Sequence, residues 1–226
     1  MHLRLLAEQV LDAAADAHTF ACAVRDTRAV DSAFASFFLC DWETLERRQV
    51  PWSVYAQLKF GCCASTVGNW LPRPLTSKAA PLADGGCAVL EPVGGALHLF
   101  RPDGSHGASF PLLYGDIPAY DLIAAGEDLL WFTVPDRGAL VRYSINRREI
   151  TLRVGGTDTF PLPHGLTRNA DTLWVCCAGS DEAKAFSMPD LEITETLPFR
   201  APPEKLFRVY SRVFVWLADG SVCAVE

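Results

Sequence analysis

Ionisable and aromatic side chains stand just before several apolar runs of this chain, at places where a turn would lead into a strand. These residues are Trp52, Tyr55, Tyr120, Asp121, His164, Glu204 and Lys205. Imidazole titrates near neutral pH, so His164 could act as a base or a ligand beside Asp121 or Glu204. Tyr120 and Asp121 could hold a sugar or a peptide by ring stacking combined with a carboxylate. His164 also has a structural interpretation, as a turn histidine bonded to the backbone before Gly165.

The apolar runs themselves recur at a near-constant spacing. Asp128-Leu-Leu-Trp131 returns as Asp171-Thr-Leu-Trp174 and as Ser211-Arg-Val-Phe214, with steps of 43 and 40 residues between the aromatic positions. A fainter copy, Asp84-Gly-Gly-Cys87, lies 44 residues before the first. A period of this length indicates repeated supersecondary units. Each run is followed by a second run and a turn, which is the pattern of a four-stranded β-propeller blade.

The repeats predict an all-β fold, a single β-propeller of five four-stranded blades over residues 1–226. The last unit ends one strand short, and the N-terminal segment can supply the missing strand, because Leu3 and Leu5 alternate with polar residues. A ring closed in this way has no open strand edge. The alternative is an N-terminal helix, since apolar residues from Leu3 to Ala14 also match helical spacing.

The first part of the chain is harder to divide into blades. We interpret the region near Val54 to Phe60 as an inner strand, followed by an insertion over about residues 64–83 that has no alternation and contains Asn69-Trp-Leu-Pro-Arg-Pro. Such a segment is typical of an irregular loop. A sixth blade within residues 50–83 is the alternative.

The blade sequences carry a resemblance to a known class of propeller. Gly126-Glu-Asp-Leu-Leu-Trp-Phe-Thr with Ala139-Leu-Val-Arg-Tyr-Ser, and the entry Pro163-His-Gly-Leu, resemble streptogramin-lyase-like and NHL-type blades. The resemblance implies the propeller fold and little about activity, because propellers serve enzymes and scaffolds alike. The lyase branch works with a metal near acid and base residues, and no local motif allows those residues to be assigned here. We therefore predict no cofactor, no metal ligand and no catalytic residue.

In a propeller, the loops that enter the inner strands and those that join second to third strands surround the mouth of the central channel. We expect a binding site there. Besides the seven residues named at the outset, the joining loops contribute Arg137 and Asp181, and the insertion contributes Trp70 and Arg73. If Asp121, His164 and Glu204 line a solvent-filled mouth, their replacement by Ala should leave folding nearly intact.

Composition limits the partners. The 226 residues carry 20 basic and 27 acidic side chains, a net charge of −7 that disfavours nucleic acid. Glu8, Asp12 and Asp16 interrupt the N-terminal region, so we expect no membrane association and a cytoplasmic location. The eight cysteines include no Cys-x-x-Cys pair and should be mostly buried thiols.

Two function classes remain open. The first, which we favour, is a non-catalytic interaction module or scaffold that presents a loop-lined face, and the insertion with Trp70, to a protein or peptide partner. The second is a small-molecule or carbohydrate-binding protein, or an enzyme of lyase or hydrolase type, with its site at the channel mouth. Convergent polar groups in a deep pocket would favour the second class, and a broad, shallow patch would favour the first.

Overall fold

The described part of the chain is a five-bladed β-propeller. A computed structural model describes residues 2–26, 35–71, 73–188 and 190–226. These residues form five four-stranded antiparallel sheets, and in four of them the strands follow one another in chain order from the innermost to the outermost. The predicted five-bladed all-β fold is confirmed.

The strands of the ring are short, and their bounds agree closely with the repeats from residue 84 onward. Blade 5 is closed by β1 (Leu3–Ala7), the first strand of the chain. Blade 1 contains β2 (Val10–Ala15), β3 (Phe20–Arg25), β4 (Ala35–Cys40) and β5 (Arg47–Val50). Blade 2 contains β6 (Lys78–Pro81), β7 (Cys87–Glu91), β8 (Ala96–Phe100) and β9 (His106–Pro111).

The remaining strands complete the ring after a two-stranded ribbon. The ribbon is formed by β10 (Leu113–Tyr114) and β11 (Ile117–Pro118). Blade 3 contains β12 (Leu122–Ala124), β13 (Leu129–Val134), β14 (Ala139–Ser144) and β15 (Glu149–Gly155). Blade 4 contains β16 (Pro163–Asn169), β17 (Thr172–Cys177), β18 (Glu182–Ser187) and β19 (Glu192–Pro198). Blade 5 contains β20 (Pro203–Val209), β21 (Arg212–Leu217) and β22 (Val222–Val225) with β1 outermost.

The N-terminal segment closes the ring as a strand and not as a helix. β1 pairs antiparallel with β22, with Leu3 opposite Val225. Blades 1 and 5 also share an apolar core, in which Phe20 stacks on Phe214 with ring centroids 4.5 Å apart and planes 5° apart. The β1–β22 strand pairing and the apolar packing between blades 1 and 5 together hold the ring closed.

The segment between blades 1 and 2 is helical, which corrects two sequence-based expectations. The predicted inner strand near Val54 to Phe60 is helix α1 (Trp52–Phe60), and the predicted irregular loop contains helix α2 (Ala64–Trp70) and the strand β6. Ala, Gln, Leu and Lys in α1 are good helix formers. The helix ends at Gly61, whose φ of 59° is a conformation that glycine adopts without strain. Neither described helix is long and apolar enough to cross a membrane.

The two helices fill the gap between blades 1 and 2, where the six-blade alternative placed another blade. Tyr55 packs with Ala14, Ala21 and Ala23 of blade 1. On the other side, Ala56, Phe60 and Val67 join an apolar cluster with Cys87, Val89 and Phe100 of blade 2. The other four blade pairs share apolar cores directly. The helical insertion, residues 52–70, is thus a wedge in the ring.

Candidate functional site

A large cavity occupies the centre of the ring. Its volume is about 960 Å³, and it is lined by all five inner strands together with α1. This size lies within the range of pockets that hold small molecules. The first residues of the inner strands meet at one end of the cavity, which is the channel mouth.

Five of the predicted site residues come together at this mouth. They are Tyr120, Asp121, His164, Glu204 and Lys205, which we call the mouth cluster. Asp121, His164 and Glu204 recur at the steps of 43 and 40 residues that separate Trp131, Trp174 and Phe214. The repeat therefore places one polar side chain from each of three blades at the same level along the axis of the channel.

Tyr120, His164 and Glu204 form one hydrogen-bonded group. The Tyr120 hydroxyl donates to Glu204 Oε2 at 2.8 Å, and His164 Nδ1 lies 3.1 Å from the same oxygen. The two rings stack with centroids 4.4 Å apart. His164 is 21% exposed and Glu204 18% exposed at the side chain, so this group is accessible at the rim of the channel.

The environment changes the titration of this group. Burial alone would raise the pKa of Glu204, but the hydrogen bond and charge of His164 and the Tyr120 hydroxyl together bring this pKa below its ordinary value. Lys78 lowers it further. Burial, reinforced by the Glu204 carboxylate, raises the pKa of Tyr120. Glu204 is therefore an anion, and Tyr120 a neutral donor, near neutral pH.

Asp121 and Lys205 form a second, more deeply buried pair. Lys205 Nζ lies 2.8 Å from Asp121 Oδ2, which also accepts the Leu166 amide at 2.8 Å. Blades 4 and 5 can approach this closely because residue 165 is Gly; a Cβ there would lie 2.3 Å from the Glu204 carbonyl oxygen. The pair thus fixes three adjacent blades to one another.

Asp121 differs from the expectation that it lines a solvent-filled mouth. The residue is 0% exposed, and within the described residues Oδ1 is a buried oxygen without a hydrogen-bond partner. Its carboxylate faces the protein because it satisfies Lys205 and a backbone amide. We therefore assign Asp121 to the support of the mouth rather than to contact with a ligand.

A third polar group joins α1 to blade 1. Lys59 Nζ is paired with Asp12 Oδ2 and donates to the Leu75 carbonyl at 2.8 Å, and the Tyr55 hydroxyl donates to the same carboxylate at 2.8 Å. The side chains of Lys59 and Asp12 are each 6% exposed, and Tyr55 is fully buried. Burial lowers the pKa of Lys59, and the nearby Asp12 opposes this effect. Tyr55 is thus a structural residue, in contrast to its predicted place at the mouth.

Lys78 is the functional candidate that sequence reasoning missed. It opens β6 and places its ammonium 5.6 Å from the ring centroid of Tyr120 and 5.4 Å from that of Trp216. Its ammonium makes no hydrogen bond or ion pair in the described ranges, with gaps at residues 27–34, 72 and 189. The repeat could have revealed Lys78. Successive repeats are separated by 44, 43 and 40 residues, and the same three steps lead from position 78 to position 205, so Lys78 and Lys205 occupy equivalent positions in their blades.

Four other predicted residues lie away from the mouth cluster. Trp52 begins α1 and packs against Phe37, with ring centroids 5.3 Å apart. Arg137 is exposed in a 3₁₀ turn after β13, and Asp181 is exposed in the turn before β18. Arg73 is exposed in the segment between α2 and β6. Their side chains do not contact the mouth cluster within the described residues.

Trp70, at the end of α2, is 52% exposed and stacks on His106 with centroids 4.2 Å apart. It lies at the outer part of blade 2 and not at the mouth. The insertion therefore carries an exposed aromatic side chain.

The cavity lining is basic. Among the described residues that line it, five are Lys or Arg and two are Asp, in a chain of net charge −7. The basic residues are Lys59, Lys78, Arg168, Lys205 and Arg208. Lys59 and Lys205 pair with carboxylates. Arg168 and Arg208 donate to backbone carbonyls, of Ala170 and Tyr210 respectively.

The residues at the mouth do not fit the metal that the resemblance to lyases implies. A divalent ion needs several convergent donors, whereas His164 has one carboxylate in contact. The described residues contain no group of three His, Cys, Asp or Glu side chains that could hold a metal ion. All eight cysteines, which lie in described ranges, are free thiols; seven are buried and Cys62 is exposed.

Comparison with known proteins confirms the fold. The sequence matches no family model and no curated protein sequence. The structure is similar to that of virginiamycin B lyase from Staphylococcus aureus, with 12% identity and a TM-score of 0.51 over 94% of this chain. The chain spans 64% of the length of that lyase. It is also similar to the computationally designed Ika4 protein, with 10% identity and a TM-score of 0.47 over 66% of this chain and 89% of that one.

Proposed function

We propose that this propeller binds a small organic anion, with a carboxylate or phosphate group, in its central channel. The observation that carries the proposal is Lys78. Its ammonium faces the cavity between the rings of Tyr120 and Trp216, and no carboxylate of the described residues lies within ion-pair distance of it. A partly buried cation of this kind is an incomplete pair that an anionic ligand would complete.

The surrounding charges support the same ligand class. Arg168 and Arg208 add two further cations to the lining, and neither forms an ion pair with a carboxylate in the described ranges. A cavity of this sign within an acidic protein attracts anions, because low-dielectric walls concentrate the local potential. The Glu204 carboxylate at the rim would repel a ligand that is negatively charged over its whole surface. It would favour an anion that also has a hydroxyl or amine group, which can donate a hydrogen bond to this carboxylate.

The proposal places small-molecule binding ahead of the interaction-module role that the sequence favoured. Polar groups from three blades converge at the channel mouth, and Lys205 of this cluster also lines the central cavity, which supports a small-molecule site. The protein- or peptide-binding role remains a second candidate, and the exposed ring of Trp70 is the observation that supports it. The fold shared with virginiamycin B lyase adds no activity to either candidate.

A thermal-shift titration tests the anion proposal. Inorganic phosphate, malonate and succinate would be compared with neutral glucose at equal ionic strength, because a ligand that binds only the folded state raises the melting temperature. We expect a saturable shift with at least one anion and none with glucose. Lys78→Met should weaken the binding by about 10- to 100-fold, the effect of losing one charge-assisted hydrogen bond.

Arg137→Gln is the matched control, because Arg137 is an exposed cation outside the cavity. It should bind the anion as the unmodified protein does. Equal loss of binding in both variants would show a non-specific charge effect. Unchanged affinity in Lys78→Met would remove Lys78 from the site and overturn the proposal.

A further inference from the structure

Blade 2 carries a chain of three side chains that is separate from the channel. On the sheet face, the Ser109 hydroxyl of β9 lies 2.7 Å from His98 Nδ1 of β8, and His98 Nε2 lies 3.1 Å from Glu91 Oε2 at the end of β7. His98 and Ser109 are direct partners in the strand register. An imidazole that bridges a hydroxyl and a carboxylate is the arrangement that activates a serine nucleophile.

The exposure of the three residues suits those roles. Ser109 is exposed and can be reached from solvent. The His98 side chain is only 10% exposed and that of Glu91 30% exposed. A sheltered base with a held orientation, next to an accessible hydroxyl, has the distribution of burial that proton transfer from a serine requires.

A second imidazole lies against the same hydroxyl. His106 Nε2 is 2.7 Å from Ser109 Oγ. A register shift between Leu99 and Phe100 accompanies the pairing of Phe100 with His106. Trp70 of α2 stacks on the His106 ring, and the Phe100 ring lies at 76° to it with centroids 5.6 Å apart. These contacts hold the His106 ring against Ser109, where an Nε2–H group can donate to Oγ and leave the serine proton directed toward His98.

We propose that Ser109, His98 and Glu91 form an acyl-transfer site for small carboxylic esters, with His106 as a positioning residue that directs the Ser109 proton toward His98. Ser109 Oγ attacks the ester carbonyl carbon while its proton passes to His98. The carbon–oxygen bond to the leaving alcohol then breaks, and that alcohol takes the proton from His98. Water attacks the acyl-serine in the same way, which releases the carboxylic acid and restores the Ser109 hydroxyl. Glu91 is a positioning residue that holds His98 in one tautomer.

Reaction of the full chain with a fluorophosphonate probe tests the site, with the adduct located by peptide mass spectrometry. Such probes phosphonylate a serine hydroxyl and release fluoride. We expect one adduct, on Ser109. His98→Gln should slow its formation by about 10²- to 10⁴-fold, the contribution of a general base. His106→Phe keeps a ring for Trp70 to stack on and should slow the labelling of Ser109 by about 10-fold, the effect of losing one neutral hydrogen bond to the nucleophile.

The controls separate chemistry from structure. Ser53, exposed on α1, is a matched serine that has no imidazole partner among the described residues, and Ser53→Ala should leave labelling unchanged. Glu91→Gln should lower the labelling rate and alter its pH profile while the melting temperature stays within a degree or two of the parent. Labelling of the unmodified protein at Ser109 no faster than at Ser53 would overturn the proposal, whether or not any variant folds. Unchanged labelling of His98→Gln would do the same and leave the group as a polar contact that docks α2.

Discussion

Glu204 is the residue whose ionisation most directly links the mouth to pH. Its pKa is lowered in the folded protein, so between the folded and ordinary values the unfolded chain binds more protons. Its contribution to stability is therefore complete above about pH 4.5, the ordinary value, and is lost as the pH falls through the folded value. Within this contribution of Glu204 to stability, the hydrogen bonds from His164 and Tyr120 are the part that belongs to the mouth cluster.

This argument predicts the behaviour of Glu204→Gln. Melting temperatures measured from pH 3 to pH 6 should rise less steeply with pH in the variant than in the parent, because one titrating carboxylate is gone. Other carboxylates with lowered pKa values, such as Asp219, titrate in both proteins and cancel in the difference. Parallel curves would show that Glu204 titrates normally and is not held by His164.

The individual site residues were only partly predictable from sequence. Asp121, His164 and Glu204 could be placed at the mouth because they precede recurring runs. Their partners could not be placed, since Lys205 pairs with a carboxylate 84 positions earlier in the chain and Lys78 meets rings from blades 3 and 5. Those contacts depend on the closure of the ring, which local patterns do not encode.

At the scale of elements, the helical insertion is the part that sequence reasoning misjudged. Val54-Tyr-Ala-Gln-Leu-Lys-Phe60 is a short apolar run, and such runs do not distinguish a strand from a buried helix. Tertiary context decides the matter: one face of α1 buries Tyr55, Ala56 and Phe60, while Lys59 reaches Asp12 in β2. The insertion replaces the direct blade contact that the other four junctions have.

The Asp12–Lys59 pair should therefore determine how firmly the wedge is held. Asp12→Ala leaves a buried ammonium unpaired and the Tyr55 hydroxyl without its acceptor, so unfolding should become easier by about 3–5 kcal/mol. The double variant Asp12→Ala with Lys59→Met should recover most of that loss, since the uncompensated charge is removed. Denaturant unfolding of all four members of the cycle measures the coupling.

The exposed pair Arg147–Glu149 provides the comparison. Its side chains are 63% and 54% exposed, so Glu149→Ala should cost no more than about 1 kcal/mol. If Asp12→Ala proves as mild as Glu149→Ala, the buried pair does not hold α1 against blade 1.

At the scale of the whole molecule, the count of blades and the closure were predictable because they follow from the period of the repeat. The final unit lacks one strand, and β1 supplies it beside β22. The position of the cavity follows from the ring. The basic lining of the cavity does not follow from the ring, because it combines residues from three inner strands and one helix that are far apart in sequence.

Removal of residues 1–7 should expose the edge of β22 and lead to association between chains, because unpaired strand edges recruit other strands. We expect a lower melting temperature and a mass above that of the monomer by light scattering after size exclusion. A synthetic peptide of residues 1–7, added in excess, should reverse both changes. A truncated protein that stays monomeric and melts like the parent would mean that β1 contributes little to closure.

The central claim is that the channel is an anion site centred on Lys78. Crystals of the protein soaked in selenate, a dianion whose anomalous scattering locates it directly, provide the most direct test. The account predicts an anomalous peak inside the cavity within hydrogen-bonding distance of Lys78 Nζ, absent from crystals of Lys78→Met. Selenate bound only at surface arginines, with no peak in the cavity, would contradict it.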